Sequence, residues 1–313
     1  MTDCNTADFE KRDDVIRITD NFYSIKGPDD ARFPYCNCFL LTGDETVLID
    51  SGIGPEKIKD IDAIIHIDIL ILSHTHADHF WGWPLLEDRR ILVPRQTPAC
   101  TRDLQLLGER FMGSHDGGRY WVKLIETVCP TQALREPDEC FDDGDIIRYG
   151  GADLQAIHAP GHLEDHYCFF DLKSRVLLTT DISLSSFGPV YPHEECDIAL
   201  FKQSIKKIMA LPYKIVCSSH KPPVVGNAEE MFLSFLQGFE RHEQEVLKVC
   251  TLPRTLEEIV AASPIYKNQY DDKVVQNAFE IPMVKKNLDI LIRDGRVEVS
   301  GDKYSGVSET RRY

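Results

Sequence analysis

Residues 67–79 read IDILILSHTHADH. A run this apolar and of strand length belongs inside a sheet with its faces covered. Directly after it, His74, His76, Asp78 and His79 crowd into six residues. Four titratable side chains on one turn cannot all be buried without partners. The chain must therefore bury the strand and leave its end at a rim, where the loop is solvated or holds something. Imidazole and carboxylate are first-choice ligands for zinc and comparable metals, so a bound ion is the chemistry this density points to.

One loop cannot complete two coordination spheres, and more ligand-type residues follow other apolar runs. The run VLIDSGIG ends on Asp50, LQAIHAPGH leads to His162, LLTTDIS ends on Asp181 and IVCSSHKPP on His220. Each stands at the C-terminal end of a predicted strand. His166 lies four residues after His162 in the same stretch.

Around these residues the organisation is mixed. VIRI, FYSI, CFLL and TVLID read as early strands, with turn signals at Gly27-Pro28 and Gly43-Asp44. RILV, DIIRYG, YCFFD and YKIVCSSH read as later strands, and DIALFKQSIKKIMAL as an amphipathic helix. Residues 97–125 read as helix interrupted by MGSHDGG, expected to be a mobile loop with His115 facing solvent. Another long helix is expected over 228–250. Early hairpins followed by strand–helix alternation suggest stacked sheets covered by helices.

A boundary is expected near Leu252-Pro253, giving domains 1–252 and 253–313. Beyond it, Thr255-x-x-Glu258 is a capping box opening a helix. A second short helix is expected near Asp271 and a third over PMVKKNLDILIRDG, with Pro282 in its first turn and Gly295 past its end. RVEVSGDKYSG reads as a hairpin turning at Gly301-Asp302. Helices followed by a hairpin resemble a winged helix.

The formal net charge is -16, which weighs against a main role on nucleic acid or an anionic membrane. No apolar stretch reaches the roughly 18 residues that span a bilayer. The first residues are polar and acidic, without the regions of a signal peptide, so a cytoplasmic location is expected. The 10 cysteines have no C-x-x-C pair and are expected to be mostly buried thiols.

The set Asp50, H-x-H-x-D-H at 74–79, His162, Asp181 and His220 resembles the metallo-β-lactamase superfamily over about residues 15–225. The resemblance implies a four-layer αββα sandwich with metals at one edge. It implies that His74, His76 and His162 bind one divalent ion, and Asp78, His79 and His220 a second, with Asp181 bridging. Zn2+ is the first expectation for both, with iron or manganese as alternatives. Asp50 is then expected to brace the histidine loop, and His166 to stand behind the ligands or line the pocket. Hydrolysis would run through a metal-bridging hydroxide oriented by Asp78.

Within the family, the cysteine-ligand β-lactamases carry Cys where Asp181 stands, and flavodiiron proteins carry Glu at the position of His76. Nucleases with a β-CASP insertion are longer. Glyoxalase-II-like thioesterases, lactonases and small endoribonucleases remain. The expected substrate is a small ester, thioester or lactone. The alternatives are an endoribonuclease, with Lys285, Lys286 and Arg293 as its basic face, or a non-catalytic ligand- or redox-responsive module. Trp81 and Trp83 are expected to pack the core, with pocket lining as the other possibility. The loop holding His193, Glu194 and Cys196 follows Asp181 closely; these residues are expected to stay out of the pocket, with reaching it as the other possibility. A homodimer is an open expectation.

Overall fold

The computed structural model describes residues 8–307. Seven strands build the first sheet: β1 (Val15–Arg17), β2 (Phe22–Ile25), β3 (Cys38–Leu41), β4 (Val47–Ile49), β5 (Ile69–Ile71), β6 (Arg90–Pro94) and β7 (Glu139–Phe141), in that spatial order. Pairing is antiparallel from β1 to β4 and parallel from β4 to β7. Helix α1 (Pro55–Ile64) links β4 to β5, since parallel neighbours need a crossover. The short α2 (Ala77–Phe80) follows β5. Helices α3 (Leu104–Met112) and α4 (His115–Val128) lie between β6 and β7.

The second sheet holds β8 (Ile146–Ile147), β9 (Leu154–His158), β10 (Tyr167–Asp171), β11 (Val176–Leu178), β12 (Ile215–Ser218) and β13 (Lys221–Val225). Helix α5 (Ile198–Met209) carries the parallel crossover from β11 to β12. The long α6 (Glu229–Val249) follows β13.

The strands are apolar at most positions because both sheet faces are covered. Phe39, Ile49, Ile71, Phe169 and Leu178 share a buried layer between the sheets. Their neighbours point the other way, as the pleat requires. Leu40, Leu48 and Leu70 pack outward with Ile58, Ile61, Phe111 and Trp121 of α1, α3 and α4. On the far side Phe170, Leu177 and Val216 meet Phe201, Phe232 and Phe235 of α5 and α6. The order of layers is helix, sheet, sheet, helix.

Two readings are corrected. The stretch MGSHDGG is no mobile loop. Only Gly113 and Ser114 separate α3 from α4, the first a left-handed cap at φ 69° and the second accepting the Gly117 N–H. His115 and the two glycines after Asp116 lie in the first turn of α4. The two helices expected on either side of Pro282 are one, α8 (Lys273–Arg293). Val275 and Glu280 before the proline, and Met283, Val284, Leu288 and Leu291 after it, are all buried. Tertiary packing carries the helix across the missing N–H. Together with α8, the tail comprises α7 (Leu256–Ala261) and a small sheet of β14 (Arg254–Thr255), β15 (Val297–Ser300) and β16 (Lys303–Gly306).

The capping box at Thr255 and Glu258 forms as expected, and Ser300 pairs with Lys303 across the Gly301-Asp302 turn. The tail's Ile259, Tyr266, Met283 and Leu288 share one apolar cluster with Phe201, Phe232 and Phe239. Among the described residues no helix is long and apolar enough to cross a membrane.

Candidate metal centre

Strands β4 and β5 are parallel, so Asp50 and the loop 73–79 emerge at the same rim of the first sheet. Strands β9, β11 and β12 run in one direction in the second sheet, so His162, Asp181 and His220 emerge together as well. The two rims meet. Gly52 allows the close approach below them, because a Cβ there would lie 1.6 Å from the Asp78 carbonyl oxygen.

Two groups of donor atoms result. His74, His76, His162 and Asp181 form one, and Asp78, His79 and His220 the other; each group can hold a metal ion. His76 Nδ1 lies 3.1 Å from His74 Nε2 and 3.0 Å from His162 Nε2. Asp181 faces both groups. Its Oδ2 is 3.0 Å from His162 Nε2, and its Oδ1 is 2.9 Å from His79 Nε2 and 3.2 Å from His220 Nε2. Asp78 Oδ2 lies 3.7 Å from His220 Nε2.

The outer partners orient the rings. His79 Nδ1 donates to Asp50 Oδ2 at 2.8 Å, His162 Nδ1 to the Val190 carbonyl at 2.9 Å and His220 Nδ1 to the Ala31 carbonyl at 2.6 Å. Asp50 is fully buried and also accepts the Ser73 N–H and O–H. With its proton committed to Asp50, Ser73 Oγ accepts from His74 Nδ1 at 2.9 Å. These bonds leave the Nε2 lone pairs of His74, His79, His162 and His220 turned inward. His76 presents Nδ1 instead.

The donor set fits cations. His76 Nδ1 carries at most one proton and can serve only one of its 3.0–3.1 Å contacts with His74 and His162, whereas a shared cation satisfies all three nitrogens. Asp181 Oδ1 and His79 Nε2 are buried without a hydrogen-bond partner, although they stand 2.9 Å apart. Such convergence suits a common ion.

Burial pushes His74 well down, and His76 down to about 3, aided by the neighbouring imidazoles; both are held in the neutral, ligating form. Burial also pushes the Asp78 carboxyl up. Desolvation pushes Asp181 the same way, but His79 and His220 outweigh it and hold the carboxyl well below its usual range.

A family model described as the metallo-beta-lactamase superfamily matches residues 31–220. The chain belongs to this superfamily. It is a hydrolase of that family, with a His/Asp cluster able to bind metal ions. It is 25% identical to the beta-lactamase-like protein 2 homolog of Caenorhabditis elegans, over 91% of this chain and 88% of that one. It is 23% identical to the atrochrysone carboxyl ACP thioesterase dmxR1 of a Cryptosporiopsis species, over 91% and 83%. Similarity to lactamase-like protein ptaB of Pestalotiopsis fici is 25% over 54% of this chain, which spans only 46% of that protein. In fold it resembles a metallo-beta-lactamase family protein from Thermus thermophilus, with a TM-score of 0.70 at 18% identity, over 93% of this chain and 100% of that one.

Other residues take the following places beside this metallo-β-lactamase cluster. His166 lies behind it. Its Nδ1 donates to the Ala159 carbonyl, its Nε2 meets Thr180 Oγ at 2.7 Å, and burial pushes its pKa down to about 3. Trp81 and Trp83 pack the outer layer. His193 stacks on Phe111 at 4.4 Å with its ring 4.7 Å from His76, and lines the cavity. Cys196 is buried, its thiol donating to the His162 carbonyl, and the described cysteines are all free.

Sequence reasoning missed a buried group behind the loop. Arg110 on α3 donates to Thr75 Oγ at 3.2 Å and pairs with Glu195 at 2.5 Å and Asp165 at 3.7 Å. Burial pushes Glu195 up to about 7. Asp165, between His162 and His166, carried the only local signal. Nothing in the sequence near Arg110 announces it.

Proposed function

We propose that the protein is a dinuclear metal-dependent hydrolase of a small thioester, ester or lactone. The observation that carries this is Asp181, with one oxygen toward each of two donor groups. His74, His76 and His162 would hold one ion, and Asp78, His79 and His220 the other. Zn2+ suits a set of imidazole and carboxylate donors. When bound, two such ions supply an acidified water as nucleophile and polarise the scissile carbonyl.

This chain's residues do the rest. Asp50 fixes the ring of His79 and, through Ser73, that of His74. Asp78 reaches the cavity and can accept a proton from the attacking water. A cavity of about 710 Å³ opens on His76, Asp78, Asp181 and His220 and has room for a small acyl group. Thioesterase names among relatives matched over 82–91% of this chain support the acyl reading.

The competing endoribonuclease would need a basic face. Lys286, however, donates to the Glu194 and Cys196 carbonyls, and Arg293 pairs with Asp294 at 3.0 Å. The proposal extends to a cytoplasmic location, a winged-helix-like unit over 253–313 and a homodimer. Elemental analysis of protein purified without added metal should give two equivalents per chain. The loaded protein should hydrolyse a small thioester and leave single-stranded RNA intact. One equivalent at saturation, or RNA cleavage without thioester hydrolysis, overturns the proposal.

A further inference from the structure

Much of the cavity lining is aromatic, and the tail contributes three of its rings. Tyr266, Tyr270 and Phe279 line it together with Phe33 and Phe187. The rings touch one another. Tyr270 stacks on Phe279 at 5.7 Å, Phe279 meets Phe33 edge-on at 5.3 Å, and Phe187 lies 4.8 Å from Tyr266. Five rings from three separated stretches of chain thus form one continuous face of the cavity that also opens on His76, Asp78, Asp181 and His220.

The face is built in advance. Glu280 on α8 is fully buried and faces no cation in any described contact. It accepts the backbone N–H of Ile265 at 3.0 Å and of Tyr266 at 2.8 Å, the Ser263 hydroxyl at 3.0 Å and the Gln276 amide at 3.1 Å. A carboxylate that collects four donors fixes the loop bearing Tyr266 and Tyr270. Tyr120 of α4 ties down the first turn of α8, its hydroxyl donating to the Val274 carbonyl at 2.8 Å.

The geometry points to a substrate whose acyl group is flat and aromatic, stacked on this tail-borne face while its carbonyl reaches the metal cluster. This rests on the hydrolase reading above. Aromatic groups prefer offset or edge contacts with such rings, an attraction beyond burial of area that a flexible alkyl chain does not share. A nucleobase also stacks on rings, but its phosphates need a positive groove. The charged groups at the mouth balance instead: Asp29 and Asp271 stand with Arg32 and Lys221. Tyr270 and Phe279 are the specificity residues, and Glu280 is a positioning residue that acts through the loop.

The test compares naphthoyl and hexanoyl thioesters of one small thiol on the metal-loaded full chain. The wild type should favour the naphthoyl ester. Tyr270→Leu with Phe279→Leu, which keeps apolar bulk, should cut the naphthoyl-to-hexanoyl ratio of kcat/KM roughly tenfold. Tyr270→Ala serves if the double variant does not fold. Glu280→Gln sets an amide N–H against backbone donors, and should lower the same ratio through KM with kcat for the naphthoyl ester held. An unchanged ratio in all of these overturns the inference. If neither thioester is hydrolysed, the thioester arm of the proposed function fails, and titration with naphthoate decides the wall alone. Naphthoate binding weakened roughly tenfold in the variants upholds it, and equal binding overturns it. An RNA oligonucleotide that binds through Tyr270 and Phe279 more tightly than naphthoate replaces the aryl acyl group with a base and overturns the inference.

Discussion

Asp181 is the residue that faces both donor groups. One oxygen faces His162 and the other faces His79 and His220. In the proposed dinuclear centre its negative charge would also offset the repulsion between two cations. Asp181→Ala should therefore lose more metal than His162→Ala or His76→Ala, each of which removes one ligand from one group. Elemental analysis of the three folded variants checks this, and equal metal in Asp181→Ala and wild type would sink the bridging role. Asp50 touches no expected ion, yet it orders two rings through His79 and Ser73. Asp50→Asn should weaken metal binding by roughly 10–100-fold while the fold persists, because outer partners set ligand orientation. A competition titration with a chelator measures it.

At the scale of elements, the strands explain themselves by burial on both faces. Phe169 of β10 lies between the sheets and is fully buried. Phe169→Ala should cost about 3–5 kcal/mol, as for other large core truncations. A denaturant titration should show it as a lower midpoint at constant slope. The helices needed more than their own sequences. The glycines after Asp116 suggest a break, yet α3 and α4 use Gly108 and Gly118 to pack closely. A Cβ on Gly118 would meet the Glu109 amide nitrogen at 2.8 Å. Pro282 likewise reads as a helix start, but buried neighbours on both sides keep α8 continuous.

For the whole molecule, the tail is tied to the rest by one apolar cluster and forms part of the cavity wall. Ending the chain at Leu252 strips Ile259, Tyr266, Met283 and Leu288 from that cluster and leaves α6 uncovered. The truncated protein should lose at least about 10 °C in Tm, since several kcal/mol of burial go with those side chains. It should still bind metal, because every expected ligand precedes residue 221. Thermal melting and metal analysis of the truncated chain check both halves. An unchanged Tm would show that residues 253–313 fold around a core of their own.

The candidate ligand types were readable in the sequence because they are local. Each closes an apolar run, and a strand end at a sheet rim is where a polar side chain can leave the core. The capping box at Thr255 and the turn at Gly301 were readable for the same reason, their partners lying three residues apart. What tertiary structure decided involves partners far apart in the chain. The Ala31 carbonyl that orients His220 is 189 residues away, and the Val190 carbonyl that orients His162 is 28 away. Arg110 reaches Glu195 across 85 residues, and Phe33 reaches Phe279 across the whole fold. No local pattern encodes such pairs. They exist only after burial of the apolar strands has brought the two sheet rims and the tail together, because hydrophobic burial is non-directional and leaves the choice of polar and aromatic neighbours to the packing.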